Sequence, residues 1–214
     1  MADAESLLQA IRQAEANEDY ESLDSLREEY IACAPGSPEA TDARYRLGLS
    51  YLFRQKNMER AKTVLKDAAS DKNHPIAPAA RVSYALLLNA QQKRQQAMFE
   101  LRKLLGAGQP PSVHTASALD FLSLLLRESG AQSADIQKVE EQRRSHLEVL
   151  AEQETDPMEK AHWWLRLGTA YADGEEPWEW QKARSYYQNI VKLGAKAGNS
   201  AVQAARDAMK TLPR

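Results

Sequence analysis

Apolar residues recur three and four positions apart along this chain, in short segments that come in pairs separated by polar turns. That period places them on one face of an α-helix. Leu7, Ala10, Ile11 and Ala14 make the first stripe. After a turn at Asn17-Glu18-Asp19, Tyr20, Leu23, Leu26 and Tyr30 make a second stripe, which ends before Pro35-Gly36. Ser37-Pro38-Glu39 supplies a cap with proline at the first helical position. Leu47, Gly48 and Tyr51 follow, then a turn at Gln55-Lys56-Asn57, then Ala61, Leu65 and Ala68, with Pro75 and Pro78 at the exit. A third pair reads Tyr84, Ala85, Leu88 and then Ala97, Leu101, Leu104, broken at Gly106 to Pro111. The fourth runs Leu119, Leu122, Ser123, Leu126, then a long polar helix from about 134 to 152 striped by Ile136, Val139, Leu147 and Leu150. Asp156-Pro157-Met158-Glu159 caps the fifth, and Val202, Ala205 and Met209 stripe a last helix. The spacing thus predicts hairpins at about 3–34, 38–71, 77–106, 113–153 and 157–194, with a terminal helix at 199–212 covering the open end.

One stretch fixes the type of hairpin. Trp164-Leu165-Arg166-Leu167-Gly168-Thr169-Ala170-Tyr171 reads W-x2-L-G-x2-Y, and the glycine allows a second helix to approach closely. Ala183 offers another close-approach position, with Tyr187 one turn later to pack there. Leu47-Gly48-x2-Tyr51 repeats half of the motif. On these residues the chain resembles a tetratricopeptide-repeat protein. The corresponding positions Leu7, Arg44, Arg81, Leu119 and Trp164 lie 37, 37, 38 and 45 residues apart, against about 34 in the family. Hairpin 1 fits least, because Ile11 stands where the family has a small residue, which suits a divergent capping repeat. In hairpin 2 the second-helix residues fall one position late, so the turn at Gln55-Lys56-Asn57 is expected to be one residue longer. The resemblance implies an all-α, right-handed α-solenoid of about five hairpins plus a capping helix, in one domain over 1–214.

It also implies a binding scaffold in which the first helix of each hairpin lines a groove. The groove positions are Asp42, Tyr45, Arg46, Leu49 and Leu52, then Ala79, Val82, Ser83, Leu86 and Asn89. Ser117, Asp120, Phe121, Leu124 and Arg127 follow, then His162, Leu165, Arg166, Thr169 and Ala172. Relatives that grip a C-terminal carboxylate use a lysine and an asparagine on successive helices. Here Tyr45, Leu49, Val82 and Leu86 occupy those places, so the expected ligand is an apolar helix or peptide oriented by Arg46, Arg127 and Arg166.

Composition narrows the function. Hydrophobic residues are 43% of the chain, enough for a packed core. No run of about 18 apolar residues exists to cross a membrane. The acidic start Met1-Ala2-Asp3-Ala4-Glu5 lacks the basic and apolar parts of a secretory signal. The single cysteine, Cys33, is expected as a small buried residue, and a reducing cytoplasm follows from its isolation. Trp178 and Trp180, flanking Glu179, cannot both face the hairpin, so one is left as an anchor for a partner.

The net charge of −2 conceals an uneven spread. Residues 1–40 carry ten acidic and two basic side chains; residues 41–110 carry thirteen basic and five acidic. Opposite segments of this kind suggest an alternative function, self-assembly of copies into a structural homo-oligomer. Nucleic acid is not favoured, since Arg54, Lys56, Arg60, Lys62 and Lys66 have only Phe53 interleaved and the pI is about 6.1. His74, His114, His146 and His162 are scattered without ligand spacing, and no nucleophile or phosphate-loop motif appears. The expected protein is a cytoplasmic, non-enzymatic adaptor or chaperone-like module with a protein or peptide partner and no cofactor or metal.

Overall fold

The computed structural model describes residues 3–106 and 109–213. Among them every regular element is helical. The α-helices are α1 (Ala4–Ala16), α2 (Tyr20–Cys33), α3 (Pro38–Leu49), α4 (Met58–Ser70), α5 (Ala77–Ala90) and α6 (Arg94–Leu105). They continue with α7 (Val113–Glu128), α8 (Ser133–Gln153), α9 (Pro157–Ala172), α10 (Pro177–Leu193) and α11 (Asn199–Thr211). The chain divides into two compact units, Met1–Ala107 with α1 to α6 and Gly108–Arg214 with α7 to α11. Five hairpins and a terminal helix are present, as the apolar pattern predicts.

Helices α1 to α4, α7 and α9 begin at side-chain caps that satisfy first-turn amides. Asp3, Asp19, Ser37 and Asn57 accept from Ser6, Ser22, Ala40 and Arg60 at 2.8–3.2 Å. Asp156 accepts from both Met158 and Glu159 at 2.9 Å, and Ser112 with Thr115 forms a capping box.

The turns of the first four hairpins are alike. Glu18, Lys56, Gln92 and Gly130 all have positive φ, at 54°, 53°, 63° and 67°. The next residue then closes the helix end, as in Asp19 N–H to Ala14 O and Lys93 N–H to Leu88 O, both 2.9 Å. In hairpin 2 the additional residue lies elsewhere than the sequence suggests. The turn has the same left-handed residue, and the addition is absorbed inside α3's continuation as a π-helical segment, Ser50–Arg54. Gln55 N–H reaches back five residues to Ser50 O at 3.0 Å.

A left-handed conformation costs a non-glycine residue about 1–2 kcal/mol, and glycine's extra unfolded freedom offsets about 0.5–1 kcal/mol. Gln92→Gly is therefore expected to stabilise the first unit by about 0.5–1 kcal/mol. A thermal melt followed by circular dichroism checks it; an unchanged or lower midpoint contradicts it.

Close helix contacts depend on the small residues of the motif. A β-carbon on Gly48 would lie 2.5 Å from Leu65 Cγ, and one on Gly168 would lie 2.7 Å from Tyr187 Cζ, inside the ring's own space. Ala85 and Ser123 occupy the same place in hairpins 3 and 4 and are buried. The terminal helix α11 buries Val202 and Ala205, with Met209 half-buried, against the core of the second unit.

Three side chains depart from the sequence reading. Cys33 is exposed, because it lies in α2's last turn where the helix runs out to Pro35-Gly36. Tyr20 is exposed at the start of α2, with the Arg54 guanidinium 5.1 Å above its ring. In α9 the deeply buried tryptophan is Trp163, 6% exposed, while the motif residue Trp164 is half-buried. The helix packs against α8, α10 and α11 at once, so its buried face is wider than one stripe.

Candidate protein-binding face

In the first unit α3 and α5 touch, and each is the first helix of its hairpin. Leu49 and Leu52 on α3 and its continuation, with Val82 and Asn89 on α5, are half-buried. Leu86 on α5 is 43% exposed. Tyr45 packs against Ala68, Ala69 and Ala80. Arg46 and Asp42 are exposed, and Arg46 makes a long ion pair to Glu15 at 3.8 Å. Ala79 and Ser83 are buried and belong to the core rather than to an open face. Of the apolar groove positions on α3, its continuation and α5, Leu86 is therefore the exposed one, and Arg46 is lightly engaged.

The first helices of the second unit, α7 and α9, look different. Leu124 is 49% exposed, and His162 is exposed against the edge of Trp163 at 5.3 Å. Ser117, Phe121, Leu165 and Ala172 are half-buried, and Thr169 is exposed. The two arginines are engaged within the unit. Arg127 donates to Glu140 at 3.1 Å, and Arg166 to Asp120 at 2.5 Å while stacking over Trp163. Both belong to a larger network around Arg143 of α8, which donates to Asp120 at 2.5 Å, Glu140 at 3.1 Å and Asp173 at 3.5 Å. Ser123 also donates to Glu140, so the small motif residue of hairpin 4 doubles as a hydrogen-bond partner. Burial raises the Glu140 carboxyl's pKa, but the Ser123 hydroxyl and Arg143 outweigh it and hold the group below its ordinary value. Burial lowers the Arg143 guanidinium's pKa, but Asp120 and Glu140 outweigh it and hold that group above its ordinary value.

Hairpins 1 and 2, and hairpins 4 and 5, are joined by a second device that uses the last tyrosine of the motif. Tyr51 donates to Glu28, which also takes Arg60, and the Arg60 guanidinium lies 4.5 Å over the Tyr51 ring. Tyr171 donates to Glu148 at 2.8 Å, joined by Lys182 at 3.4 Å, with Lys182 4.8 Å over the Tyr171 ring. In both units the glutamate is 23 residues before the tyrosine, a spacing legible in the sequence. Burial, then Glu28, raises the Tyr51 hydroxyl's pKa, so it remains a donor. Burial and Glu148 do the same at Tyr186.

Pairs of this kind also use part of the uneven charge. Acidic Glu15, Asp24 and Glu28 of hairpin 1 face basic Arg46, Arg54 and Arg60 of hairpin 2 at 3.8 Å, at 3.9 Å and at close contact. Trp178 is 53% exposed, whereas Trp180 is half-buried and donates its indole N–H to Gly174 O at 2.9 Å. Among the described residues no group of three or more His, Cys, Asp or Glu could hold a metal. No helix among them is long and apolar enough to cross a membrane.

No protein-family model matches the chain, and no curated protein matches it in sequence. Solved structures do match it. BtubC (BKLC) from P. vanneervenii is 19% identical, with 98% of this chain and 82% of that chain covered, at a TM-score of 0.59. A Podosopora anserina protein of nearly identical TPR-like repeats is 15% identical, with 91% and 96% covered, at 0.57. A variant form of that repeat protein is 16% identical, with 88% and 94% covered, at 0.59. The fold of the present chain is that of a tetratricopeptide-repeat protein.

Proposed function

We propose that the chain is a non-enzymatic, cytoplasmic scaffold that holds a protein partner through the first-helix face of its first unit. The observation that carries this reading is Leu86, exposed on α5, a first helix that touches α3, on which and on whose continuation Leu49 and Leu52 are half-buried. A helix-in-groove ligand would insert one or two apolar side chains there. Orientation falls to Arg46, whose side chain is largely exposed, because Arg127 and Arg166 are taken by Glu140 and Asp120. A single cysteine suits a reducing compartment.

The test is affinity for a partner captured by the wild-type chain and then purified. Leu49→Glu combined with Leu86→Glu is expected to weaken binding about tenfold or more, since a charge is then desolvated in the contact. Unchanged affinity removes the basis of the proposal.

Self-assembly through oppositely charged segments is the weaker reading. Three acidic groups of hairpin 1 already pair with three arginines of hairpin 2 inside one unit. Association that disappears at high salt would favour it.

A further inference from the structure

The basic surplus of residues 41–110 is only partly used by the pairs to hairpin 1, and three of the other basic side chains, Lys66, Arg81 and Lys103, line one pocket. In the first unit α4, α5 and α6 border a partly open cavity of about 60 Å³. Lys66 and Ser70 of α4, Arg81 and Tyr84 of α5, and Glu100 and Lys103 of α6 line it. Arg81 is buried, and its guanidinium donates to Glu100 at 3.0 Å and to the Ala69 carbonyl. That pair neutralises itself. Lys66 and Lys103 have no ion-pair partner among the described residues. The Tyr84 hydroxyl has no hydrogen-bond partner there either, and burial followed by the Glu100 charge raises its pKa, keeping it a donor. The cavity thus presents two unpaired ammonium groups and a hydroxyl donor beside a fixed guanidinium, with three positive side chains against one negative.

We infer that this cavity is an anion site for a phosphoryl group carried on a phosphorylated segment of a protein partner. The surplus of two positive charges matches a phosphomonoester dianion better than a single carboxylate. The pocket has room for a compact oxyanion. The exposed faces of α4 and α6 offer no row of aromatic rings on which bases could stack, Phe99 alone being exposed on them. The cavity does not share a residue with the face built on Leu49, Leu52, Val82 and Leu86.

The full chain is titrated with inorganic phosphate by NMR. A phosphoserine peptide, its unphosphorylated twin and a single-stranded oligonucleotide are then compared by fluorescence anisotropy. Saturable phosphate binding is expected, with the phosphopeptide at least about tenfold tighter than its twin. Lys66→Gln with Lys103→Gln is expected to lower both affinities about tenfold or more, and Lys62→Gln, outside the cavity, to change neither. Leu49→Glu with Leu86→Glu leaves phosphate binding intact, so failure of the first-helix reading is told apart from failure of this one. The inference is overturned if phosphate does not saturate the wild-type chain, if Lys62→Gln weakens binding equally, or if free phosphate binds but the phosphopeptide gains nothing over its twin. An oligonucleotide that binds more tightly than the phosphopeptide overturns it as well.

Discussion

Arg143→Leu is expected to destabilise the second unit by about 3 kcal/mol at neutral pH, the low end for breaking a buried charge pair. Arg143 is buried and bridges Asp120, Glu140 and Asp173. Without it Glu140, 4% exposed, keeps only Ser123 and the half-exposed Arg127. The pH dependence follows from signs. In the wild type Glu140's folded pKa lies below its ordinary 4.5, so its contribution is complete above that value and is lost as pH falls through the folded pKa. In the variant the carboxylate is buried without its main cation, and its pKa rises above the unfolded value. Folding then takes up a proton, which favours acid. The stability difference between the two proteins is accordingly largest near neutrality and narrows in acid. All four tryptophans lie in the second unit, at Trp163, Trp164, Trp178 and Trp180, so fluorescence during urea unfolding reads that unit alone. Adding Glu140→Leu to Arg143→Leu is expected to recover part of the loss, because no buried charge is then left alone. A gap that is the same at pH 7 and in acid contradicts the network's role.

The second large effect is Gly168→Ala. On helix propensity alone alanine would stabilise α9 by about 1 kcal/mol. The fold reverses that sign. The added methyl group would overlap the ring of Tyr187, itself 2% exposed and unable to swing away. Overpacking of this kind costs about 1–3 kcal/mol. Gly48→Ala meets Leu65 at Cγ, a side chain that is 0% exposed, so a cost of the same sign is expected there. Tyr187→Leu introduced with Gly168→Ala should reduce the penalty below the sum of the single changes. A Gly168→Ala protein as stable as wild type would show that α9 and α10 do not approach as closely as Tyr187 and Gly168 imply.

The architecture was legible because it is written locally. Stripes such as Leu7-Ile11-Ala14 and caps such as Ser37-Pro38 each fix a helix or its end without reference to distant residues. The glycine–tyrosine contact at Gly168 was legible for the same reason, since the repeat brings fixed positions together. What stayed hidden is non-local or polar. α8 reads as a polar helix, and nothing in its own spacing says that Glu140 and Arg143 turn inward to meet Asp120 and Arg127 of the helix before it. That arrangement changes the candidate face, because two of its three expected cations are engaged. The extra residue of hairpin 2 was visible as a shift in spacing. Its place inside the helix was not, because a π-helical segment and a longer turn leave the same count. Trp163 was missed because the motif directs attention to Trp164, although Trp163, Leu167 and Ala170 also share one helical face.

The measurement that tests the scaffold reading most directly is site-specific photocrosslinking in cells. A photoreactive residue is placed at position 86, at position 49, or on the outward face of α11 at position 203, where Gln203 is exposed. The account predicts that positions 86 and 49 capture the same protein partner and that position 203 does not. Equal capture at all three positions, or none at 49 and 86, would contradict it.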